Sequence, residues 1–244
     1  MSGRQRLDLA VLQKGLAGSR ERARSLIMTG KVRVNDQPVD KAGAMVGDDD
    51  AIRVKGGDIP YVSRGGLKLE AALAAFPVDV PGRVCLDVGA STGGFTDCLL
   101  QKGAERVYAV DVGYGQLAWK LRGDPRVTVI ERTNIRHMAA GAVPEPVDLV
   151  VIDVSFISLR IAAPAARPFA RPRADMIALI KPQFEVGKGQ VGKGGVVRDP
   201  DRHAAVIDDL KTFFTEAGIR PRDVIPSPIL GPKGNREFLI HLKI

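Results

Sequence analysis

A chain of 244 residues, 45% of them hydrophobic, holds one full α/β domain plus a small appendage around a sizeable core. No apolar run approaches the roughly 18 to 20 residues that cross a bilayer, and "MSGRQRLDLA" lacks the apolar segment of a secretion signal, so a cytoplasmic protein without a membrane role is expected. Cys85 and Cys98 have no Cys/His cluster of metal spacing around them, which argues against a disulfide or a bound metal, and the net charge of +8 points to a polyanionic partner.

That charge is concentrated at the N-terminus, where Arg4, Arg6, Lys14, Arg20, Arg22, Arg24, Lys31 and Arg33 face only Asp8 and Glu21. Apolar periodicity through Leu7, Leu9, Val11 and Leu12 predicts a first helix, and Ser19 is placed to cap a second. In the second helix Ala23, Leu26 and Ile27 share the inward face, whereas Arg20 and Arg24, four apart, share another that suits adjacent phosphates. Gly30 ends that helix, and "KVRVN" alternates as a short strand with Lys31 and Arg33 on one side. "SRERARSLIMTGKVRVND" resembles the small RNA-binding domain shared by ribosomal small-subunit protein four and many pseudouridine synthases. The resemblance spans about residues 4–56. "RLD" at 6–8 echoes a pseudouridine synthase motif, but it falls in the first helix of the small domain, where Asp8 is expected to be a helix-start residue.

Residues 1–56 are thus expected to form an α+β RNA-binding domain, 57–63 a linker, and 64–244 a larger domain. From residue 84 strand-like and helix-like segments alternate: "VCLDVG" (84–89), "RVYAVDVG" (106–113), "VTVIER" (127–132), "VDLVVIDVSF" (147–156) and "ADMIALIKP" (174–182). Runs apolar on both faces predict a parallel sheet covered on both sides. "DVIPSPIL", "GPKGN" and "REFLIHLKI" then predict two strands joined by a tight turn, a closing antiparallel hairpin. This pattern suits a Rossmann-like methyltransferase sheet of seven strands better than a dinucleotide dehydrogenase.

The exit of the first strand supports that choice. "LDVGASTGGFTD" sets Asp87 before a turn with Gly89, Gly93 and Gly94, and Ser91 stands where a dinucleotide fingerprint needs glycine. A nucleoside-type cofactor without phosphate fits better. Asp87 would meet its amino group or sulfonium directly or through water, Asp111 at the second strand's end its ribose hydroxyls, and Asn134 after the third strand its adenine edge.

Asp153 leaves the fourth strand, Lys181 leaves the fifth, Lys68 lies on the helix entering the sheet, and Glu237 opens the last strand. The order Lys, Asp, Lys, Glu resembles the catalytic tetrad of the FtsJ-like ribose 2′-O-methyltransferases. With "SRGGLKL", "DVGASTGGFTD", "IDVSFISL", "KPQFEVGKGQVGKGGVVRD" and "KGNREFL", the chain resembles the TlyA (hemolysin A) family from end to end. The resemblance implies methyl transfer from S-adenosylmethionine to ribose hydroxyls of cytidines in ribosomal RNA, with Lys68, Asp153, Lys181 and Glu237 as the catalytic set. It places the cofactor against Asp87, Gly89, Ser91, Gly93, Gly94, Phe95, Asp111, Asn134 and Asp153. The RNA, free or in ribosomal subunits, would lie against Arg4, Arg6, Arg20, Arg24, Lys31, Arg64, Lys188 and Lys193.

Two roles remain open for Lys181: a neutral amine that removes the 2′-proton, or a charged one that holds the oxygen for in-line attack. The Gly/Lys loop behind it is expected to cover cofactor and RNA, and Phe156 and Phe184 are placed to stack on a displaced base. Rival readings are an NAD(P)-dependent oxidoreductase, a non-catalytic RNA-binding assembly factor and a pore-forming hemolysin.

Overall fold

The computed structural model describes residues 3–55, 59–187, 191–192 and 194–244, and the chain separates into two units, Met1–Pro60 and Tyr61–Ile244. The first carries β1 (Gln5–Arg6), α1 (Leu7–Gln13), α2 (Arg20–Met28), β2 (Val32–Val34), β3 (Gln37–Pro38), β4 (Met45–Val46) and β5 (Ile52–Val54). β1 pairs with β4, and β3-β2-β5 form a small antiparallel sheet. Local chemistry accounts for the boundaries. Ser19 caps α2 by accepting from the Arg22 amide at 3.1 Å. Asn35 and Asp36 take φ of 51° and 62°, as the two-residue turn between β2 and β3 requires. Leu7, Val11, Ala23, Leu26, Ile27 and Val32 make the buried core.

The second unit runs α3 (Gly65–Ala75), β6 (Val84–Val88), α4 (Gly94–Gln101), β7 (Arg106–Val110), α5 (Trp119–Arg122), β8 (Val127–Ile130), β9 (Val147–Ile152), α6 (Leu159–Ala166), β10 (Ala170–Ile180), α7 (Pro182–Glu185), α8 (Pro200–Glu216), β11 (Arg220–Pro226) and β12 (Phe238–Lys243). The seven strands are ordered β11-β12-β10-β9-β6-β7-β8. The five from β10 to β8 are parallel, and β12 is antiparallel to both β10 and β11. Both faces of β9 are apolar, and the period of two sends Val150 and Ile152 into the layer with Leu159, Leu210 and Phe214. Leu149 and Val151 go into the opposite layer with Leu69 and Leu99.

The closing hairpin differs from expectation in one respect. β11 starts at Arg220 and ends at Pro226, and the connection is not a tight turn but residues 227–237 with a 3₁₀ turn at Pro232–Gly234. Pro226, Pro228 and Pro232 lack the amide donors that would extend the ladder. Because the chain goes from β6 to β7 on one side and returns to β9 on the other, the strand order reverses at β6/β9. Exit loops of β6, β9 and β10 therefore open on one edge, where open α/β sheets bind ligands.

Candidate active site

That edge of the second unit carries two adjoining cavities of about 290 and 650 Å³, which share Gly89, Ser91, Asp153 and Ser155. Lys68, Asp153, Lys181 and Glu237 all line the smaller one. They meet as two close pairs. Lys68 Nζ donates to Glu237 Oε2 at 2.6 Å, with both groups almost wholly buried. Lys181 Nζ stands 2.6 Å from Asp153 Oδ1, an ion pair whose approach lies off the line of a hydrogen bond, and donates to Ser155 Oγ at 3.0 Å. Sequence reasoning missed Ser155; its only signal is its place two residues beyond Asp153.

Glycines shape the walls. Gly89 has φ +87°, and a side chain there would stand 2.6 Å from the Asp153 carbonyl, so β6 and β9 close up only with glycine at 89. Gly94 lines the smaller cavity, and Ser63 Oγ would be 2.3 Å from a methyl at that position. Phe95 lies in the same wall, and Arg64, expected to meet RNA, is exposed on its rim.

Asp111, Ser91 and Asn134 line the larger cavity. Asp111 accepts from the Ser91 amide at 2.8 Å and the Gly113 amide at 2.7 Å, which fixes its carboxylate and leaves lone pairs for further donors. The Asn134 side chain caps a 3₁₀ turn by accepting from Arg136 N at 3.1 Å.

Two expected cofactor residues line neither cavity. Gly93 packs under α5, where a methyl would stand 2.2 Å from Leu121, and its φ of +94° shows a turn and packing requirement. Asp87 is fully buried below the turn, with its Oδ2 accepting from Thr96 Oγ at 2.6 Å. Desolvation, offset by the Thr96 hydrogen bond and reinforced by the Asp153 charge, pushes its carboxyl up to about 7. Its Oδ1, like Glu237 Oε1, is a buried acceptor with no hydrogen-bond donor among the described residues. Acceptors left over at and beneath one site suit a ligand that brings cationic groups and hydroxyls.

Phe156 stands 91% exposed beside the larger cavity with φ of +64°, and its ring lies 5.2 Å from that of Phe184. An aromatic side chain held in water on a left-handed backbone marks a position selected for something other than packing.

In the first unit Arg4, Arg24 and Lys31 are exposed, as a phosphate-binding face requires. Arg6 and Arg20 are committed differently from expectation: both donate to Asp8, at 2.9–3.1 Å and 3.0 Å, and remain about half exposed. Asp8 is more than a helix-start residue. It is completely buried, and the Arg6 hydrogen bonds hold its carboxyl down at about 2. Lys188 and Lys193, and with them Gly189 and Gln190 of the expected Gly/Lys cover, lie outside the described residues.

Residues 61–244 match the family model for FtsJ-like methyltransferases, and residues 5–52 match that of the S4 domain. The 16S/23S rRNA (cytidine-2′-O)-methyltransferase TlyA of Mycobacterium tuberculosis is 50% identical over 244 residues, covering 100% of this chain and 91% of that protein. Hemolysin A of Brachyspira hyodysenteriae is 41% identical over 240 residues, 98% of this chain and 100% of its own. A solved structure from Streptococcus thermophilus, described as a candidate hemolysin, is 42% identical at a TM-score of 0.78 and covers 100% of this chain and 89% of its own. The chain belongs to the FtsJ-like methyltransferases and, among them, to the TlyA family. Among the described residues no helix is long and apolar enough to cross a membrane.

Proposed function

We propose that this protein transfers a methyl group from S-adenosylmethionine to the 2′-hydroxyl of cytidine in ribosomal RNA, and that it works in the cytoplasm where that RNA is assembled. The observation that supports this most is the meeting of Lys68, Asp153, Lys181 and Glu237 as two close ion pairs, one buried and one partly buried, around one small cavity. The nucleoside specificity comes from the similarity to the Mycobacterium tuberculosis enzyme.

The larger cavity is where the cofactor would lie, with Asp111 toward its ribose, Asn134 toward its adenine, and Gly89 and Ser91 supplying backbone. S-adenosylmethionine contributes an electrophilic methyl carbon on a cationic sulfur, and the buried oxygens of Asp153 and Glu237 suit that charge. Lys181 has three donors, of which Ser155 takes one, so the ammonium can hold the 2′-oxygen while Asp153 fixes its position. Glu237, steadied by Lys68, closes the other side of the cavity. Such positioning contributes as much as ~7–11 kcal/mol to a barrier when reacting atoms are well aligned. Arg64 on the rim is suited to an RNA phosphate, and Phe156 to stacking on the displaced base.

The test uses methyl-labelled S-adenosylmethionine with ribosomal RNA and ribosomal subunits from cells lacking the protein, followed by mapping of 2′-O-methyl positions. Label at the ribose of cytidine is expected. Label on bases alone, or none at all, would overturn the reading.

A further inference from the structure

The exit loops of β9 and β10 each carry half of the Asp153–Lys181 pair, and something must hold them in register. Three contacts join them: Lys181 to Ser155, Phe184 to Phe156, and Glu185 to the first turn of α6. The third is the most committed. One Glu185 oxygen accepts from Ser158 Oγ at 2.6 Å and the other from the Leu159 amide at 2.8 Å. Ser158 in turn caps α6 by accepting from the Arg160 amide at 3.1 Å. Nothing in the helix itself satisfies the Leu159 amide, because the first amides of a helix have no partner within it.

We infer that Glu185 is a positioning residue for methyl transfer, clamping the loop that bears Asp153, Ser155 and Phe156 onto the strand exit that bears Lys181. The inference rests on the methyltransferase reading above and deepens it. Burial pushes the Glu185 carboxyl up from its ordinary value, so this site holds a charge at a cost that a solvated cap would not carry. Five residues, Lys181 through Phe184 and on to Glu185, thus tie reacting group, base platform and clamp into one short element, α7 and its leading residue. If the clamp opens, Ser155 leaves Lys181 and Asp153 loses its register, while the Lys68–Glu237 pair on other elements is untouched.

The full-length protein would be compared with Glu185→Ala and Glu185→Gln by amide exchange and by single-turnover methyl transfer to RNA, with the rate expressed per bound cofactor. A glutamine can keep both contacts, accepting from Leu159 with its oxygen and donating to Ser158 Oγ with its amide. Glu185→Ala is expected to lose protection at Leu159 and to slow transfer per bound cofactor at least about tenfold; Glu185→Gln should restore most of both. A merely structural role would lower the number of competent molecules and leave the rate per bound cofactor unchanged. That result, unchanged protection in Glu185→Ala, or a glutamine variant as poor as alanine would each overturn the inference. A wild-type protein that moves no methyl to ribose sinks the functional reading instead, and the exchange measurement then still decides whether the clamp exists.

Discussion

Gly231 offers a clean way to move one member of the tetrad without touching its chemistry. Its φ of −72° is one that alanine adopts freely, so the backbone gives no reason for glycine. The reason is Glu237: a methyl at 231 would stand 2.0 Å from Oε1 and 2.4 Å from the carboxyl carbon, whereas real contacts of this kind essentially never fall below 3.0 Å. In Gly231→Ala the carboxylate must therefore retreat by about 1 Å, which is enough to stretch the 2.6 Å bond from Lys68 beyond ordinary hydrogen-bond length. A misplacement of that size at a reacting centre costs on the order of 10²-fold in rate. The cofactor side should not notice, because Gly231 and Glu237 line only the smaller cavity. Single-turnover transfer at saturating RNA, with cofactor affinity measured separately by titration, gives the two numbers. A variant that methylates at the wild-type rate would show that the position of Glu237 does not matter to the reaction. An equal loss of cofactor affinity would show that the two cavities have been assigned to the wrong ligands.

Lys181→Ala should abolish methylation while leaving cofactor affinity nearly unchanged, measured by the same pair of assays; a matching loss of affinity would place Lys181 at the cofactor. Lys68→Ala leaves the fully buried Glu237 carboxylate without its partner and should destabilise the protein by ~3–5 kcal/mol in denaturant titration, since an uncompensated buried charge costs that much. Asp87→Asn tests the buried carboxyl. With a folded value of about 7 against 3.8 when unfolded, the native state holds this proton more tightly, so the wild type should lose stability as pH rises through that window. The full loss above pH 7 is on the order of 4 kcal/mol, and the asparagine variant should lack it; parallel stability curves from pH 4 to 8 would refute the assignment.

Much of the site was legible because a parallel sheet buried on both faces leaves few places for charge. A lysine ending "MIALI" or an aspartate ending "VDLVVI" stands out against residues that cannot be solvated, and both do reach the cavity. Asp87 lies one position earlier in its strand exit than the cavity wall, where period two turns the side chain into the protein and toward Thr96 rather than into the cavity. Spacing gave no hint of Ser155, Glu185 or Gly231, whose parts depend on partners 26 or 27 residues away for the first two and on the fold of the 227–237 connection for the third. Asp8 looked like an ordinary helix start because the arginines it organises, Arg6 and Arg20, are brought together only when α1 and α2 pack.

The two lysines, equivalent in sequence, are unequal in their surroundings, and the difference bears on how the 2′-hydroxyl is handled. Lys68 makes a direct hydrogen bond to a carboxylate at 2.6 Å between two buried groups, so its charge is paired in line with Glu237. Lys181 approaches its aspartate off the hydrogen-bond line and gives its hydrogen bond to a neutral hydroxyl, so donors remain for an incoming oxygen. An ammonium clasped between an aspartate and a serine is built to hold an acceptor in place, whereas a neutral amine would keep N–H donors but lose the charge pairing with Asp153. The arrangement therefore favours Lys181 as the group that aims the hydroxyl oxygen, with the proton departing late, over Lys181 as the base that strips it first.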